Sequence, residues 1–138
     1  MPVHELEMDQ QFVIDTLTID VLGIANPEMP LDEEYGNNQS IVLKITDKEY
    51  NKDFKLLVMG DLSVLGGEKL LKNHRDDLKC DAVVMAHHGQ KGVNRDVYEA
   101  IGAKFAFWPT PLWLWENRWT KWKDPDLRDL KTFVVRGW

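Results

Sequence analysis

Apolar and polar positions alternate in places through FVIDTLTIDVLGI, residues 12–24, and β-branched residues are frequent there, which predicts one or two strands. Two prolines, a glycine and two asparagines then mark residues 25–39 as an exposed loop. SIVLKIT (40–46) and FKLLVMGD (54–61) read as strands joined by the polar DKEYNKD, a hairpin with a longer loop. From Gly66 to Leu78 the period lengthens, with Leu70, Leu71, His74 and Leu78 spaced by one helical face. DAVVMA (81–86) is a further apolar strand. NRDVYEAIG (94–102) reads as a short helix that Asn94 caps and Gly102 stops, and KFAFWP (104–109) as a strand ended by proline. A last helix is expected where Asp124 precedes Pro125, with Leu127, Leu130 and Val134 on one face. There is no internal repeat and no linker. The order predicts an α/β fold, a mixed β-sheet with helices mainly on one face, in a single domain over residues 1–138.

Composition narrows the function. The chain has 138 residues, 43% hydrophobic and 29% charged, with a formal charge of −6. That charge argues against general nucleic-acid binding, which depends on neutralising phosphates with Lys and Arg. The one cysteine, Cys80, excludes an internal disulfide and a cysteine-rich zinc site, and its apolar neighbourhood predicts a buried, inert thiol. No segment approaches the about 20 apolar residues of a membrane span. The acidic MPVHELEMDQQ start lacks the features of a signal peptide, so a cytoplasmic location is expected.

The chemistry lies at two strand ends. The helix between LLVMGD and DAVVMAHHG makes a βαβ unit, whose strands run parallel and end on the same edge. Asp61 stands at one end; His87 and His88 stand at the other. Adjacent strands lie about 4.8 Å apart, a gap that metal–ligand bonds of about 2.0–2.2 Å close from both sides. Gly60 and Gly89 allow tight turns beside such an ion. A Gly-Asp pair alone is commonly only a turn, and a His pair only packing. Their joint position at matching ends favours a metal site. His4 and His74 are isolated in sequence and read as structural or exposed.

NNQSIVLKI, LLVMGD and DAVVMAHHGQKG, in that order, resemble the C-terminal half of a metallo-β-lactamase-fold hydrolase, in the branch related to DNA-uptake competence proteins. The resemblance runs from about Leu17 to Trp115. It implies half of a four-layer αββα sandwich, with Asp61 as a metal ligand that often bridges two ions. It also implies His88, directly before glycine, as a second ligand, with His87 orienting the site or meeting the substrate. The implied cofactor is zinc, one or two ions, and the implied chemistry is attack by a metal-activated water on a phosphoester, ester or amide, with phosphodiesters slightly favoured. The chain departs from the family in lacking its His-x-His-x-Asp-His run. A catalytic zinc ordinarily has three protein ligands and a water. Weak or no metal binding, and no significant hydrolysis, are therefore expected of this chain alone. A non-catalytic binding or assembly module is the alternative.

WPTPLWLWENRWTKWK (108–123) holds five of the six tryptophans. Trp115, Trp119 and Trp122 are spaced for one helical face; Trp113 and Trp115 would share a face in an extended segment. Trp108, Trp113 and Trp115, with Gln90 beside the histidines, are candidates for a substrate-facing wall, with packing against another part of the protein the favoured alternative. LLVM and AVVMA are almost continuously apolar, which implies burial on both sheet faces. One set of helices covers one face only. A partner is expected for the other: a homodimer packing sheet to sheet, or a missing N-terminal half. Gly137-Trp138, directly after the expected last helix, reads as a cut.

Overall fold

The structure, a computed structural model, describes residues 5–49, 52–90 and 92–116. Strand β1 (Gln11–Ile14) turns through Asp15 and Thr16 into β2 (Leu17–Gly23), with Ile14 paired to Leu17. Asp15 takes φ 55° there, a left-handed conformation that a short polar side chain tolerates. The single predicted stretch 12–24 is thus two strands in a tight hairpin. β3 (Val42–Asp47) and β4 (Phe54–Val58) form the expected second hairpin. β5 (Ala82–Val84) and β6 (Phe105–Phe107) complete a six-stranded sheet in the order β1-β2-β3-β4-β5-β6. Pairing is antiparallel from β1 to β4 and parallel between β4, β5 and β6.

The parallel half carries the crossovers. Helix α1 (Val64–His74) links β4 to β5, and α2 (Arg95–Ile101) links β5 to β6. α1 begins two residues before the predicted start because its backbone has an outside cap: Gly66 N donates to Asn38 Oδ1 at 2.9 Å, satisfying a donor that the first turn leaves open. α2 ends as predicted, with Gly102 at φ 59° and its N–H on Tyr98 O. Leu70, Val97, Tyr98 and Ile101 from the helices pack with Leu57 and Val83 of the sheet in one core. Leu57 and Val83 are register partners and so share the helix-covered face.

The segment after Pro111 is one helical turn, α3 (Leu112–Trp115), so of the two alternatives for the tryptophans the extended one, with Trp113 and Trp115 on one face, is not taken there. On the face away from the helices, Ala82 is fully buried while Leu56, Val58 and Val84 are half-buried. The predicted helix at Asp124, with Trp119 and Trp122, lies outside the described residues. No helix among the described residues is long and apolar enough to cross a membrane.

Candidate metal centre

β4 and β5 deliver their chains to one edge, as the βαβ pattern requires, and backbone bonds lock the two exits together. His87 N donates to Gly60 O at 3.0 Å between them, while Met85 N ties β5 to β6 through Phe107 O at 2.9 Å. Gly60 has φ +56°, and a Cβ there would stand 3.1 Å from Ser40 Oγ. The Asp61 N–H donates to that same hydroxyl at 3.1 Å. A glycine is therefore required where the strand bends to present Asp61.

The NNQS run, residues 37–40, has a structural explanation residue by residue. Asn37 Nδ2 donates to Glu34 Oε2 at 2.8 Å, and buried Asn38 caps α1. Gln39 binds the backbone of Asn26 through both its amide atoms, and Ser40 holds Asp61. These four polar side chains are thus scaffolding for the edge on which the candidate ligands sit.

The histidine turn is strained. His87 (φ 47°, ψ 46°) and His88 (φ 55°, ψ 16°) are both left-handed, and Gly89 follows at φ 77°. Left-handed geometry costs an ordinary L-residue about 1–2 kcal/mol, and such outliers collect at functional sites. The surroundings hold the turn in place. Ala86 N donates to the buried Tyr98 Oη at 3.2 Å, and Gln90 N closes the turn on His87 O. The Trp108 indole Nε1 donates to His88 O at 2.7 Å. Gly89 lies so close to that indole that a Cβ would meet it at 2.2 Å. Burial pushes the Tyr98 hydroxyl's pKa well above the ordinary tyrosine range, so it remains protonated.

His88 Nδ1 lies 2.7 Å from Pro109 O, so it carries the proton and donates to that carbonyl. In the neutral ring this leaves the lone pair on Nε2, 3.9 Å from Asp61 Oδ1, with both side chains half exposed. Two bonds of about 2.1 Å to a tetrahedral zinc hold their donors about 3.4 Å apart, so the pair is close to, and slightly wider than, the spacing one ion needs. His87 diverges: the two rings are 6.3 Å apart and tilted by 55°. Its Nδ1 is buried without a hydrogen-bond partner among the described residues, 4.0 Å from Glu34 Oε2. That carboxylate is held by Asn37 and by Ser63 Oγ at 2.9 Å. Glu34 is the residue that sequence reasoning missed, because it lies in a loop far from either motif. Its only signal was its place three residues before Asn37.

The structure brings Asp61 and His88 together and sets His87 beside Glu34. Among the described residues, no group of three or more His, Cys, Asp or Glu side chains is placed to hold a metal ion. A single pair of donors does not make a catalytic zinc set. Trp108 packs against the core and meets Trp115 edge-on at 5.3 Å, while Trp113 and Trp115 stay exposed. Gln90 contributes its backbone to the turn. His74 lies 3.7 Å from Asp9 and 3.6 Å from Asp77, away from this edge. Comparison of the chain with family models, with curated proteins and with solved structures finds no match in any of the three.

Proposed function

We propose that the chain is the C-terminal part of a metal-dependent hydrolase domain of the metallo-β-lactamase type, in which Asp61 and His88 supply two of the zinc ligands. The observation that carries this is the 3.9 Å gap between His88 Nε2 and Asp61 Oδ1, across two parallel strand ends, with Pro109 O fixing the tautomer. Zinc, when bound, would supply the Lewis acidity for hydrolysis. The residues of this chain hold the lone-pair nitrogen and the carboxylate in register, and Trp108 keeps the strained turn closed. The remaining ligands come from outside the described residues, so the chain by itself is inactive as a hydrolase. A non-catalytic assembly module is the second reading, favoured by the half-exposed apolar sheet face.

Zinc titration with calorimetry separates the two. Weak, reversible binding that Asp61→Ala or His88→Ala abolishes supports the hydrolase reading. Binding indifferent to both substitutions removes the site. A stoichiometric zinc that survives dialysis would defeat the claim that the ligand set is incomplete.

A further inference from the structure

Glu34 lies in the loop before β3, yet its backbone and side chain are tied on every side. Its N–H donates to Asp32 Oδ1 at 2.9 Å, and its carbonyl accepts from the N–H of buried Asn38 at 2.9 Å. Its Oε2 accepts from Asn37 Nδ2 at 2.8 Å and from buried Ser63 Oγ at 2.9 Å, at the start of α1. Those bonds alone describe a loop anchor. They do not explain His87 Nδ1, which is wholly buried 4.0 Å from that same oxygen and has no partner among the described residues. A buried polar atom left unpaired costs about 1–3 kcal/mol, and native structures carry few of them. A carboxylate accepts at about four sites, more than the bonds from Asn37 and Ser63 use.

We propose that Glu34 is the positioning residue for His87: its carboxylate accepts a hydrogen bond from Nδ1–H and so fixes the tautomer that carries its lone pair on Nε2. The backbone of His87 cannot make the approach, because its N–H is held by Gly60 O and its carbonyl by Gln90 N. The ring can. The χ2 torsion of histidine is broad, and a rotation that closes about 1 Å brings Nδ1 within the about 2.7–3.2 Å of a hydrogen bond. Catalytic hydrogen bonds of this kind commonly tighten when substrate binds. Since Nδ1 is wholly buried, the 15% of the His87 side chain that solvent reaches lies on its other atoms. Pro109 O sets His88 in the same tautomer, so the turn offers two imidazoles with the lone pair on Nε2. In the hydrolase proposed above, the His87 lone pair accepts a hydrogen bond from a donor group of the substrate, beside the Asp61–His88 pair. That use rests on the hydrolase reading; the tautomer does not.

The test is heteronuclear NMR of the ring nitrogens in the full chain, without metal and at a pH that keeps both rings neutral. Long-range proton–nitrogen correlations show which nitrogen of each ring carries the proton. Both His87 and His88 are expected in the Nδ1–H form. Glu34→Gln keeps an oxygen for Asn37 and Ser63 but turns an amide donor towards Nδ1, so His87 changes to the Nε2–H form. His88 keeps its tautomer in that variant, because Pro109 O is untouched. An Nε2–H form of His87 in the wild type overturns the proposal, and this arm stands even where the variant does not fold. A folded Glu34→Gln that leaves His87 unchanged overturns it equally, since a mere loop anchor would behave so. Zinc affinity of Glu34→Gln stays within about threefold of wild type; a fall towards about 10–100-fold, the usual cost of losing an outer-shell partner, would make Glu34 a support of the ion and overturn its assignment to His87. The tautomer is read without metal, so its outcome does not depend on whether Asp61 and His88 bind zinc.

Discussion

His88 holds φ 55° and ψ 16° while its side chain is 46% exposed, so replacing it separates the energy of the backbone from that of the ring. His88→Ala and His88→Gly both lose the bond from Nδ1 to Pro109 O, a net loss of about 1 kcal/mol in each. They differ only at Cβ. Alanine keeps left-handed strain of about 1–2 kcal/mol, whereas glycine adopts the conformation freely. Glycine's more disordered unfolded state takes back about 0.5–1 kcal/mol. The glycine variant is therefore expected to be more stable than the alanine variant by about 0.5–1 kcal/mol. Glu68, exposed in the middle of α1, is the control: there alanine exceeds glycine by about 1 kcal/mol. Urea midpoints read both pairs, provided the slopes agree. Equal stability of the two His88 variants, or alanine ahead of glycine, would refute the claim that the turn stores strain. If the order holds, the ring is kept at a cost to the fold, as a ligand would be and a packing residue would not.

Tyr98→Phe removes the acceptor for the buried Ala86 N–H; a loss of about 1–3 kcal/mol is expected in the same urea assay, and no change would show that the turn is held otherwise. Glu34→Ala breaks the bonds from Asn37 and Ser63 and loosens the segment facing His87, with an expected loss of about 1–2 kcal/mol; Glu34→Gln keeps an oxygen acceptor and should lose less. Burial pushes the Cys80 thiol from near 9 up to about 11, against opposing pulls from Lys44 and Lys55. The folded state thus holds this proton longer than the unfolded state. Its stabilisation is complete below about pH 9 and is lost as the pH rises towards 11, so wild type should lose more stability over that window than Cys80→Ala. Slow alkylation of the native thiol near neutral pH is the companion result; rapid alkylation would contradict the burial.

The α/β class and the edge that carries the candidate site were legible because they follow from local periodicity. The apolar runs at 54–61 and 81–86 with a helical stretch between them dictated parallel neighbours, and Asp61 and His88 duly meet across them. Element ends were less legible, since they are set by distant partners: Asn38 caps α1 from 28 residues upstream. The left-handed pair at His87 and His88 was not legible at all, because nothing in an HHG triplet distinguishes a strained turn from an ordinary strand exit. Glu34 escaped for a related reason. Its meaning comes from Asn37, Ser63 and His87 converging in space, and only Asn37 is near in sequence.

The separation of the two histidines follows from their Nδ1 partners more than from their order in the chain. His88 gives its Nδ1 proton to a backbone carbonyl that no side-chain substitution can remove, which frees Nε2 for Asp61's side of the edge. His87 faces a carboxylate that two other side chains already hold, and its own buried nitrogen has no partner among the described residues. A hydrogen bond needs about 2.7–3.2 Å, so a closure of about 1 Å would complete the Glu34–His87 pair. The same edge therefore contains one donor pair close to the spacing an ion needs and a second pair one small displacement short of contact. Substituting His88 tests the first, substituting Glu34 tests the second, and the proposed zinc ligation requires only the first to respond.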